Sequence, residues 1–65
     1  MKYYRIYGRE KGKGRFKAID LESGAFVGNL IYATYFLDKT DAEKCLSDLT
    51  AQNEGFEFKL VITKD

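Results

Sequence analysis

The chain has 65 residues, 45% hydrophobic and 32% charged, with 11 basic and 10 acidic side chains, no histidine and one cysteine. A chain this short forms one domain and buries only about 60% of the surface its unfolded form exposes. Cys45 alone cannot close an internal disulfide, and without histidine or a second thiol there is no zinc ligand set. The near-neutral sum hides a split, because Lys2, Arg5, Arg9, Lys11, Lys13, Arg15 and Lys17 face Glu10 alone in the first seventeen residues, a balance of +6, whereas the remainder sums to −5. Such a dipole draws anions toward one end of the molecule and repels them from the other.

Lys2 to Gly8 alternates Tyr3, Arg5 and Tyr7 against Tyr4 and Ile6, the two-residue period of a first strand. Gly8 to Gly14 has three glycines and no apolar residue and reads as a hairpin loop, followed by a second strand over Arg15 to Leu21. Glu22-Ser23-Gly24-Ala25 is a turn, and Phe26 to Phe36, rich in aromatic and aliphatic residues, predicts a long third strand. From Asp38 the period changes. Ala42, Cys45, Leu46 and Leu49 form one apolar helical stripe, with Asp41, Glu43, Lys44, Ser47 and Asp48 toward water. Asp38 is the N-cap residue with Asp41 near the positive end of the dipole, and Thr40 with Glu43 is an alternative capping box. Gly55 is the expected left-handed stop. Phe56 to Thr63 alternates again as a fourth strand.

The expected architecture is therefore α+β, in the order βββαβ, with one helix packed on one face of a four-stranded, mostly antiparallel sheet. A right-handed crossover through the helix makes the last strand parallel to the third, hence also to the first, and favours the strand order 3-2-1-4. Tyr4, Ile6, Phe16, Ala18, Leu30, Phe58, Leu60 and Ile62 are the residues expected under the helix. The uncovered face should show Tyr3, Arg5, Tyr7, Arg15, Lys17, Ile19, Asn29, Ile31, Tyr35 and Val61. That face is too apolar to stay in water, so a partner or a homo-oligomer is expected. The opening Met1-Lys2-Tyr3-Tyr4-Arg5 has no apolar stretch of the signal-peptide kind and no eighteen apolar residues run together, which predicts a soluble cytoplasmic protein.

Function is read from the basic segment. Backbone amides of a glycine loop can wrap an oxyanion, and Arg9, Lys11 and Lys13 add charge, although neither a Walker loop nor G-x-G-x-x-G is present. The bland alternative is a solvated hairpin tip. Interleaved bases and aromatics in Lys2 to Arg9 and Arg15-Phe16-Lys17 suit both phosphate and a stacked ring, or else a sheet edge blunted by charge. The expected ligand contacts are Arg5, Arg9, Lys11, Lys13, Arg15 and Lys17 for charge, with Tyr3, Tyr7, Asn29 and Tyr35 for stacking and hydrogen bonds. Catalysis, cofactor and metal find no support in the residues: the acids lie in turns or on the outer helix face, and Cys45 lies in the apolar stripe. A non-enzymatic module for an anionic small molecule or a protein partner is the first reading, and DNA binding through the same sheet is the second.

Tyr7-Gly8-Arg9, Gly14-Arg15-Phe16-Lys17-Ala18 and Phe26 to Thr34 make the chain similar to short uncharacterised proteins of Gram-positive bacteria and their phages. The resemblance covers most of the chain and implies no assigned chemistry; in a phage setting it implies an inhibitor of a host factor or a sequestering agent for a nucleotide signal of antiviral defence. A structural or assembly protein of a phage particle is the third reading. Phe36-Leu37-Asp38-Lys39-Thr40-Asp41-Ala42-Glu43 also resembles the strand-to-helix junction of the arm-type DNA-binding domain of tyrosine recombinase integrases. That likeness implies DNA binding by three strands and a helix, and the fourth strand departs from it.

Overall fold

The structure, a computed structural model, describes residues 1–64. Strand β1 spans Lys2–Glu10, β2 Lys17–Asp20 and β3 Ala25–Val27; a 3-10 turn covers Leu30–Tyr32, helix α1 runs over Lys39–Gln52, and β4 over Phe56–Lys64. The sheet order is β3-β2-β1-β4, as expected, and every neighbouring pair is antiparallel. α1 packs against β4 and β1. The fold class read from the sequence is the one observed, and no helix among the described residues is long and apolar enough to cross a membrane.

The long third strand is a correction. It stops at Val27, because Asn29 caps the 3-10 turn by accepting the Ile31 amide on its side-chain oxygen at 3.1 Å, and the chain folds back. The Thr34 amide then donates to the Ile19 carbonyl at 3.1 Å, while Tyr4 and Phe36 exchange backbone bonds of 2.9 and 2.8 Å in an antiparallel bridge. Residues 34–36 thus take the place beside β1 that β2 leaves after its two paired positions, Tyr7↔Ala18 and Gly8↔Lys17. This reversal also corrects the direction of β4. The segment entering the helix runs antiparallel to β1, so a strand parallel to that segment is antiparallel to β1, and the register runs unbroken from Lys2↔Lys64 to Glu10↔Phe56.

The helix starts where its cap dictates. Asp38 accepts the Thr40 amide on its carboxylate at 2.8 Å, and Asp41 sits in the first turn, where a negative charge meets the positive end of the dipole. Ala42 is fully buried, and Cys45, Leu46 and Leu49 are half-buried on the same side. Desolvation by burial, with a smaller contribution from the Asp48 charge, raises the Cys45 pKa. Gly55 is not the stop. Its φ is not positive, and the helix ends at Asn53, whose side-chain amide donates to the Leu49 carbonyl at 3.0 Å.

Directly opposed residues of antiparallel strands share a face. Tyr4, Ile6 and Gly8 therefore point the same way as Ile62, Leu60 and Phe58, and the core centres on Ile6, 1% exposed. The face assignment of β2 is corrected by one residue. Gly12 and Gly14, at φ of 72° and 73°, give the loop room to run on to Phe16, so β2 begins at Lys17 rather than Arg15. A shift of one residue exchanges the two faces of a strand. Lys17 and Ile19 consequently lie on the helix side, with Ile19 only 5% exposed, while Ala18 and Phe16 lie on the other. Ala18 is buried there beside the returning segment, whose Ala33 is buried too. Leu30, expected in the core, is exposed on the 3-10 turn, and Ile62 is exposed at the outer edge of the sheet.

Candidate anion-binding site

The hairpin between β1 and β2 is held by an arginine clamp. Arg9 lies opposite Glu57 in register; its Nε and Nη2 meet one Glu57 carboxylate oxygen at 2.9 and 2.7 Å, and its Nη1 donates to the Gly14 carbonyl at 2.9 Å. The guanidinium also covers the Phe16 ring at 4.4 Å, and the Lys59 ammonium lies 4.5 Å from the same ring. The Lys11 amide donates to the Gly55 carbonyl at 3.1 Å and ties the loop to the start of β4. Among the described residues, Arg9 and Glu57 form the only ion pair.

The Arg9 hydrogen bond, helped by the Arg9 charge, the Gly12 amide and the Lys11 charge, holds the Glu57 carboxyl below its ordinary 4.5 against the opposing desolvation. A carboxyl whose folded pKa is depressed contributes stability above the unfolded value and loses it as pH falls through the folded one. Thermal midpoints measured from neutral pH into acid should thus fall less steeply for Glu57→Gln than for the native chain. Equal slopes would show that the clamp does not couple to folding.

Beside the clamp, on the helix side of the sheet, is a hollow of about 400 Å³. Its floor is aromatic. Phe26 and Phe56 lie with centroids 6.1 Å apart and planes 24° from parallel, and Phe58 continues the row at 6.4 Å and 23°. Gly8 makes this possible, because a Cβ there would sit 2.7 Å from the Phe58 ring and 3.1 Å from Ile19, so Phe58 lies down over the β1 backbone. The lining is completed by Glu10, Gly14, Lys13, Arg15 and Lys17, and the last three are exposed cations with no ion-pair partner among the described residues. A second hollow at the other end of the sheet, bounded by Asp20, Glu22, Ile31 and Tyr32, carries acids instead. The charge split of the sequence therefore has a spatial counterpart.

Of the expected contacts, Arg9, Lys13, Arg15 and Lys17 come together at the first hollow, with Arg9 already neutralised by Glu57. Lys11 lies in the same exposed loop. Tyr3, Arg5, Tyr7 and Tyr35 belong to the opposite sheet face. There Tyr3 meets Tyr35 edge-on at 5.3 Å, and Arg5 stands 5.9 Å from the Tyr3 ring and donates to the Thr63 hydroxyl at 3.3 Å. Asn29 is spent on its cap. Sequence reasoning missed Phe26 and Phe56. Alternation already placed Phe56 beside Phe58, and the absent side chain at Gly8 marks the gap over which such rings can lean. Compared with family models, curated proteins and solved structures, the chain matches none of them.

Proposed function

We propose that the chain is a non-enzymatic binding module that holds a small anionic ligand of the nucleotide kind in the hollow at the hairpin end of the sheet. The observation that carries this reading is the convergence of three cations without an ion-pair partner among the described residues, Lys13, Arg15 and Lys17, beside the exposed ring of Phe26 and its neighbour Phe56. Phosphate needs the cations and a base needs a ring face. Stacking of a base on an aromatic side chain contributes about 1–3 kcal/mol, and a hollow of this size lies within the range of about 300–1,000 Å³ usual for small-ligand sites. Arg9 serves as the anchor of the loop rather than as a contact. Sequestering a nucleotide signal of a host would be a use for such a module in a phage, and inhibition of a host protein through the same basic end is the related possibility.

Titration with a panel of linear and cyclic nucleotides and with a DNA duplex, each at two salt concentrations, tests the proposal. A nucleotide should bind with shallow salt dependence and weaken by about 1–3 kcal/mol in Phe26→Ala, whereas Tyr7→Ala and Tyr35→Ala, on the far face, should leave binding intact. Duplex DNA as the true partner would instead give a steep salt dependence whose slope drops by about one for each of Lys11→Ala and Lys13→Ala. Binding of neither sinks the anionic-ligand reading.

A further inference from the structure

The two edges of the sheet are unlike. β3 has three residues and offers little to a passing strand, whereas β4 has nine, with no proline and no break in its register. Natural sheets guard such an edge with lysines or bulges. Here Lys59 does not guard it, since its ammonium lies over Phe16.

Which backbone groups of β4 are open follows from the pairing. Tyr4 exchanges both of its backbone bonds with Phe36, on the side of β1 away from β4. In an antiparallel ladder the bonding direction alternates along each strand. Tyr3, Arg5 and Tyr7 therefore bond to Thr63, Val61 and Lys59, and the N–H and C=O groups of Phe58, Leu60 and Ile62 point outward. Ile62 is also 49% exposed beside this edge.

We propose that the outer edge of β4 pairs antiparallel with β4 of a second copy, centred on Leu60, to give one continuous sheet twice as wide. The sequence is self-complementary in that register. Only registers that set even-numbered residues opposite even-numbered ones bring outward groups together, and centring on Leu60 alone pairs the whole strand, Phe56 to Lys64. On the helix side Leu60 faces the partner's Leu60 and Phe58 faces the partner's Ile62, covering the exposed Ile62. On the other side Lys59 faces the partner's Val61 and Glu57 faces the partner's Thr63, so no like charges oppose. Centring one residue earlier sets Lys59 against the partner's Lys59, which is unfavourable. The paired edge meets the hollow at Phe56, its first residue, but involves none of the cations Lys13, Arg15 and Lys17, and the proposal does not rest on the ligand.

Light scattering at high micromolar concentration should give twice the 7.5 kDa of the chain. Ile62→Pro removes only an outward amide and should restore the single-chain mass with the helix signal in circular dichroism retained; Ile62→Lys, which places a charge opposite the partner's Phe58, should do the same and carries the test if the proline variant fails to fold. Amide exchange adds a signature that no other interface gives: on dilution to the monomer, Leu60 and Ile62 should exchange faster by roughly tenfold or more while Val61 and Thr63 stay protected. A single-chain mass at every concentration overturns the proposal. So does a dimer that survives both variants, or one in which Leu60 and Ile62 exchange as fast as free amides.

Discussion

Ile6→Ala should leave most of the chain unfolded at room temperature. Among the described residues Ile6 is the most completely buried large side chain, at 1% exposed, between Tyr4 and Gly8 on the helix side of β1. Truncating a buried isoleucine to alanine costs about 2–5 kcal/mol through lost burial and the cavity left behind. A core of this size supplies no more than about 3–5 kcal/mol. The loss therefore matches the whole margin. Urea titration followed by circular dichroism measures it, with Ile6→Val, expected to cost about 0.5–1.5 kcal/mol, as the graded companion. An alanine variant that unfolds within about 1 kcal/mol of the native chain would show that the core lies elsewhere.

Gly8→Ala should destabilise by about 1–3 kcal/mol, the usual cost of forcing extra volume into packed space. The added methyl would meet ring carbons of Phe58 at 2.7 and 2.9 Å, closer than real Cβ contacts come, and Ile19 at 3.1 Å, a tight contact. Phe58 must lift, and Phe56 and Phe26, stacked in the same row, lose their support. The thermal midpoint should drop by about 4–8 °C for each kcal/mol lost in a domain of this size, and ligand uptake should weaken along with it. Gly28→Ala is the matched control, because nothing lies within 4 Å of the position its Cβ would occupy. An unchanged midpoint at position 8 would mean that the rings do not lie over β1.

The helix was legible in the sequence because its signals are local. Asp38 reaches an amide two residues away, and the stripe Ala42, Cys45, Leu46, Leu49 is fixed by the turn of the helix itself. β1 and β4 were legible because each alternates over a long run against the other. The third strand was not. Phe26 to Phe36 has strand composition throughout, yet Asn29 finds a local bond to Ile31 where the extended run ends, and the segment after it bonds to the backbone of Ile19 and Tyr4 instead of continuing beside β2. β2 is similar: Arg15-Phe16-Lys17 alternates as a strand should, but the loop keeps Arg15 and Phe16, the latter under Arg9 and Lys59.

For the candidate site, the sequence by itself determined which end of the molecule is basic, since Lys11, Lys13, Arg15 and Lys17 crowd one hairpin that no distant contact could redistribute. It also determined the order of the strands and the helix, and the helix's start to within two residues, through periods and a cap that act within a few residues. The tertiary structure alone decided which arginine is free and which is bound. Arg9 and Arg15 are alike in the sequence, and only the register that sets Arg9 opposite Glu57, 48 residues away, turns one into an anchor and leaves the other at the rim. The aromatic floor was decided in the same way. Phe26, Phe56 and Gly8 come from three strands, and rings stack over a bare backbone only once pairing has fixed which residue lies beside which.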